Sequence, residues 1–97
     1  MKAIVGTVSM DRAHFADQQA YLHDDLVPAL REQPGSVDGY WMYDEGAALG
    51  RVLMVLDSEA DARRWWSAID DQLQRRREMG ISFVDLHLVE VLAHAGA

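Results

Sequence analysis

Cysteine is absent from the 97 residues, which removes disulfides, thiolate metal sites and cysteine nucleophiles together and leaves nothing that argues for an oxidising compartment. The expected location is therefore the cytoplasm. No apolar run approaches the roughly 18 to 20 residues that span a bilayer. The start, where Lys2 precedes Ala3, Ile4 and Val5, meets Thr7, Ser9, Asp11 and Arg12 too soon to be a signal peptide. Positive charge is scarce: nine Lys and Arg against sixteen Asp and Glu give a net charge of −7. A phosphate backbone is repelled by that balance, so neither a nucleic-acid nor a membrane partner is expected. What is present is an ordinary globular mixture, 49% hydrophobic and 26% charged, of a length that suits one domain over residues 1–97.

The short β-branched stretch 2–9 reads as a first strand. From Asp11 to Gln33, Phe15, Leu22, Leu26 and Leu30 recur at helical spacing and define a candidate core face. Pro28 has no N–H for the ladder and its ring crowds the carbonyl of Asp24, so the helix should kink or step there. Pro34-Gly35 then stops it. Residues 37–45 form a second strand, with Val37, Gly39, Trp41 and Tyr43 on one side and Tyr40 and Met42 on the other. After a turn over 46–50, the run 51–57 forms a third, apolar on both sides, and the short connection makes the pair a hairpin. Ser58 caps a second helix whose expected stripe is Ala62, Trp66, Ile69 and Leu73, with Trp65 on its flank. Arg75, Arg76 and Arg77 fill its last turn and Gly80 ends it. Residues 81–94 return as a last strand, with Val84, Leu86 and Leu88 opposite Phe83, Asp85, His87 and Val89. Ala95, Gly96 and Ala97 are expected to fray.

The order βαββαβ is the ferredoxin-like plan, an α+β fold with a four-stranded antiparallel sheet and both helices on one face. Two helices cover one side only, yet strands two and three carry bulky apolar groups on both. A second copy packed sheet to sheet about a twofold axis is the economical cover.

Two stretches carry a family likeness: Leu26 to Trp41 (LVPALREQPGSVDGYW), where a proline-containing helix end runs through Pro-Gly into strand two, and Leu56 to Trp65 (LDSEADARRW), where strand three runs into helix two. With the element order, which covers nearly the whole chain, they make the sequence resemble the dimeric α/β barrel superfamily and, within it, the antibiotic-biosynthesis monooxygenase-like domains. The resemblance implies a homodimer through the sheet face that binds a small aromatic molecule. Its enzymatic version is a cofactor-independent oxidation of a phenolic or quinol-type substrate, in which a base removes a substrate proton so that the electron-rich carbanion reacts with dioxygen. Some relatives degrade haem with an asparagine, a tryptophan and a histidine, and this chain contains no asparagine, which disfavours that reading.

Several residues are candidates for such chemistry. His87 and Asp85 lie two apart on one strand face, where they could share a proton as catalytic base and orienting group, or stand as a solvated or dimer-edge pair. Trp66, Trp65, Trp41 and Tyr43 could wall a cleft for a flat ligand, or serve as core and interface packing. Arg51 could hold an anionic or enolate oxygen, or pair with Asp44 or Glu45. His14, His23 and His94 stand isolated without ligand spacing, so no metal is expected, and the triple arginine reads as helix capping and solvation. The alternative to a small-molecule or enzymatic role is a non-catalytic interaction or stress-associated dimer whose aromatics are all packing.

Overall fold

The structure is a computed structural model that describes residues 1–96; the expected fraying at Ala97 lies outside the described residues. Four strands, β1 (Lys2–Met10), β2 (Ser36–Asp44), β3 (Leu49–Leu56) and β4 (Ile81–Glu90), form one antiparallel sheet in the order β2-β3-β1-β4. Helices lie between β1 and β2 and between β3 and β4, and pack on one side of the sheet. The architecture is thus the ferredoxin-like α+β fold that the element order implies.

The register assigns the two faces. Ile4, Val8, Val52, Met54, Leu56, Trp41, Phe83, Leu86 and Leu88 belong to the helix-covered side and its core. Val5, Tyr40, Met42, Leu53, Asp85, His87 and Val89 share the other side, hereafter the open face. One inversion occurs in β4. A register shift pairs Thr7 with Asp85 but Val8 with Phe83, so Val84 is an extra, unpaired residue that is 60% exposed. A bulge of this kind flips everything beyond it. Phe83, expected beside Asp85 and His87, therefore joins Leu86 on the helix side, and Val84 leaves it.

The first helical segment is composite. A 3-10 turn (Arg12–His14) leads into α1 (Phe15–Ala20), a π-helical stretch (Tyr21–Leu26) and α2 (Val27–Glu32). The step expected at Pro28 is realised as this π stretch. A wider turn before a proline keeps carbonyls satisfied that the missing N–H would leave free. It also rotates the buried face: Gln18 and Tyr21 are buried at its start, Leu26 and Leu30 at its end and beyond, with a step of five positions from Tyr21 to Leu26. Phe15, expected in the core, is 46% exposed and lies under the Arg12 guanidinium. Gln18 is fully buried, and its Nε2 donates to the carbonyls of Asp11 (2.8 Å) and Met79 (3.0 Å), tying the helix to the start of β4.

The second helical segment divides into α3 (Glu59–Asp70) and α4 (Leu73–Glu78). The Ser58 Oγ accepts from the Asp61 N–H, the expected cap. The stripe differs from expectation: Trp65 is buried with Ala62 and Ile69, whereas Trp66 is half-buried. The Trp65 indole N–H donates to the Met54 sulfur at 2.8 Å, which fixes the choice. Gly80 ends α4 with a φ of +75°, a conformation that suits glycine.

Strand β4 stops at Glu90 rather than His94. The chain then turns away: the Val91 N–H donates to the Met1 carbonyl, and His94 Nε2 lies 2.8 Å from Asp38 Oδ2 on β2, at the far edge of the sheet. Between them lie Ala3 and Val55, which are buried although they belong to the open face. The tail thus crosses one end of that face.

Candidate functional site

Between the sheet and the first helical segment lies a cavity of about 140 Å³. Its floor comes from Val8 and Met10 of β1, Trp41 and Tyr43 of β2, Val52 and Met54 of β3, and Phe83 of β4; Tyr21, Leu22 and Leu26 of the π stretch form its roof. The π turn matters here, because its rotation is what presents Tyr21 as well as Leu26 to the sheet. A largely apolar, aromatic-lined space of this size accommodates about one benzene ring; Arg12, Gln19 and Arg76 also border it, and it is partly open to solvent.

Two arginines border the cavity differently. Arg12 lies over the rings of both Phe15 (4.3 Å) and Tyr43 (4.4 Å). Arg76 of α4 is only 4% exposed, and the rings of Tyr21 and Phe83 lie 5.8 and 5.6 Å from its guanidinium carbon. Its Nη1 donates to the Ile69 carbonyl at 2.7 Å, an acceptor near the α3–α4 break. Burial holds its pKa below the ordinary arginine value, with Tyr21 and then Asp70 acting in the opposite direction. Its neighbours are ordinary by comparison: Arg75 is ion-paired with Asp25, and Arg77 is exposed.

Of the residues singled out in the sequence, Trp41 and Tyr43 line the cavity, and Arg51 touches its rim although its register with Met42 and Thr7 puts its side chain on the open face. Arg51 is engaged: Nη1 donates to Thr7 Oγ1 and Nη2 to Asp44 Oδ2, each at 3.2 Å. The Asp44 carboxyl is held below the usual carboxylate range by the Ala47 N–H and then by Arg51. Trp65 and Trp66 do not line the cavity. Trp65 stands beyond Met54, on a separate, more polar groove with Gln72 and Arg75. His87 and Asp85 are also elsewhere, exposed on the open face with Nε2 and Oδ1 3.9 Å apart. The pair is formed, but on the opposite side of the sheet from the aromatic cavity.

Sequence reasoning missed Tyr21 and Arg76. Tyr21 falls off the expected helical face until the π turn is known. Arg76 stands seven residues after Ile69, on the buried stripe, and that spacing was a usable signal obscured by the arginines on either side.

No protein-family model and no curated protein sequence matches the chain. Its backbone, however, shares its fold with several solved structures, one of them described as a putative antibiotic biosynthesis monooxygenase. The crystal structure of MupZ from Pseudomonas fluorescens superposes with a TM-score of 0.75 at 11% identity, over 90% of this chain and 69% of that one. A putative antibiotic biosynthesis monooxygenase from Deinococcus radiodurans gives 0.71 at 16% identity, over 100% and 96%. The haem degrader MhuD from Mycobacterium tuberculosis, with two haems bound in its active site, gives 0.72 at 15% identity, over 99% and 100%. At these identities the likeness concerns the fold.

The haem of that last neighbour can be tested against the residues present. No histidine lines the cavity and the chain has no cysteine, and although Tyr21 and Tyr43 are there, a space for one benzene-sized ring is far smaller than a porphyrin. The residues do not fit haem. Among the described residues there is also no cluster of three or more His, Asp or Glu side chains placed to hold a metal ion, and no helix is long and apolar enough to cross a membrane.

Proposed function

We propose that this chain is a homodimeric small-molecule-binding protein of the monooxygenase-like fold, and that its cavity receives one ring of a phenolic or quinol-type aromatic. The observation that carries the reading is a partly open, single-ring space walled by Tyr21, Trp41, Tyr43 and Phe83 with mostly apolar groups between them. Aromatic walls favour offset or edge-on contact with a flat ligand. Dimerisation is supported by the open face, where Tyr40 is 52% exposed and Met42 and Val89 are also exposed. A partner's equivalent face would remove them from water.

Cofactor-independent oxygenation is the catalytic form of this reading. It requires a base, and His87 with Asp85 is the candidate pair only for a substrate held on the open face against a partner's sheet, since the pair stands on the opposite side of the sheet from the cavity. The experiment follows oxygen uptake by metal-free protein with hydroquinones and anthrones. Uptake above buffer that falls with His87→Ala supports the catalytic form; uptake unchanged by that substitution removes His87 from it. A non-catalytic binder is favoured by one observation, the absence of any His, Asp or Glu from the cavity lining. Saturable tryptophan quenching by the same ligands without oxygen uptake would decide for it.

A further inference from the structure

Arg76 has no ion-pair partner within 4 Å among the described residues, whereas Arg51, Arg63, Arg64 and Arg75 each have a carboxylate. A guanidinium stays protonated and carries five N–H donors. The Ile69 carbonyl, Tyr21 as hydrogen-bond partner and the flanking rings of Tyr21 and Phe83 satisfy only part of that capacity, and the negative charge that acts on it, Asp70, stands beyond ion-pair distance. Burying a cation with no carboxylate in ion-pair contact costs far more than leaving it at the surface. The Ile69 bond caps the end of α3, but capping of α4 does not account for the burial, since Arg75 and Arg77 stand in the same last turn at the surface. The cation lines an apolar, aromatic space of one ring's volume. The missing counter-charge and the empty volume are at the same place.

We infer that Arg76 is an anion-binding residue and that the cavity takes a monoanionic aromatic, a ring bearing a carboxylate or an ionised phenol whose oxygen meets the guanidinium. The inference rests on the aromatic-cavity reading and narrows it to a charge class. Tyr21 and Phe83 hold the guanidinium by its faces, and Ile69 holds one edge. The ligand's ring then lies against Trp41, Val52 and Met54. A phenol bound this way is bound preferentially as phenolate, because the fixed cation favours the ionised form. This residue therefore touches the ligand and selects it, with no further chemistry assigned to it.

The test compares two isosteric single-ring probes, benzoate and nitrobenzene, by isothermal titration with the full chain at neutral pH. Benzoate is expected to bind about tenfold or more tightly than nitrobenzene, the size of effect a charge-assisted hydrogen bond supplies. Arg76→Met should abolish the difference while leaving nitrobenzene within about threefold of its wild-type affinity, and Arg76→Lys should retain part of it. Nitrobenzene binding with no preference for benzoate overturns the inference and leaves the cavity reading intact. Failure of both probes overturns both. Equal loss of both probes in a folded Arg76→Met protein overturns the inference by making Arg76 a packing residue. The wild-type comparison decides even where a variant does not fold.

Discussion

His94 Nε2 and Asp38 Oδ2, 56 residues apart in sequence, meet at 2.8 Å across the width of the sheet. Four tail residues in extended form reach about 13 Å, and three strand spacings sum to about 14 Å. With the reach of the His94 and Asp38 side chains added, the tail spans β4 to β2 only on a direct path across the end of the face where Ala3 and Val55 are buried. The pair is a third exposed and of the kind that contributes little alone. Its consequence is positional: the tail occupies one end of the face proposed for the partner.

Release of the tail should strengthen self-association. His94→Ala, or deletion of residues 92–97, is expected to lower the dimer dissociation constant several-fold while changing protomer stability by less than about 1 kcal/mol. Sedimentation velocity across a dilution series checks this, and a dissociation constant that does not move would mean the tail and the partner do not compete.

The Trp65–Met54 contact is buried, so its loss is not compensated by water. Met54→Leu preserves volume but removes the acceptor of the indole N–H. It is expected to cost about 1–3 kcal/mol in urea unfolding. Met42→Leu, a swap of the same chemistry on the open face, should lie within about 0.5 kcal/mol of the parent. Equal effects at the two positions would show that the sulfur does nothing an aliphatic group cannot.

At Gly6 the sheet passes too close to tolerate a side chain. A Cβ there would stand 2.7 Å from the Asp85 carbonyl oxygen and 2.7 Å from Leu86 Cδ1, and the first of these is backbone that must shift. Gly6→Ala is expected to lose about 1–3 kcal/mol and to disturb the β1–β4 register beside the bulge. Gly46→Ala, whose Cβ meets only Asp44 Oδ1 at 3.5 Å, serves as the tolerant control. Thermal unfolding of both variants gives the comparison.

The hairpin has its own pH dependence. Asp44 is lowered by the Ala47 N–H and by Arg51, so its folded pKa lies below its unfolded one. Its contribution is present above the unfolded value, about 3.9, and is lost as pH falls through the lower folded value. NMR titration of the Ala47 amide is expected to give a midpoint below that reference, and Asp44→Asn should remove the transition. A midpoint at or above the reference would contradict the cap.

Reading the sequence was most secure where a local rule acts alone. Proline at position 28 cannot donate to a helical ladder in any context, so a step was legible, and Ser58 and Gly80 mark helix ends by their own chemistry. Alternation placed Trp41 and Tyr43 opposite Tyr40 and Met42 because a strand's period is two whatever surrounds it. The open face followed from the same arithmetic. Composition excluded the thiol chemistries outright.

Tertiary structure decided whatever depends on one residue's count or one partner's position. Whether the wide turn before Pro28 holds one extra residue determines that Tyr21 faces the sheet and Phe15 does not. The bulge at Val84 moves Phe83 from the face of His87 to the cavity. Trp65 and Trp66 both lie within reach of the same helical stripe, and only the Met54 sulfur on a strand distant in sequence selects between them. Arg76, written between two arginines that meet water, becomes a buried cation only because Tyr21 and Phe83 are brought around it. Sequence by itself supplied the periodicities, the caps and the exclusions, since those are local. The cavity and its charge belong to the packing of elements far apart in the chain.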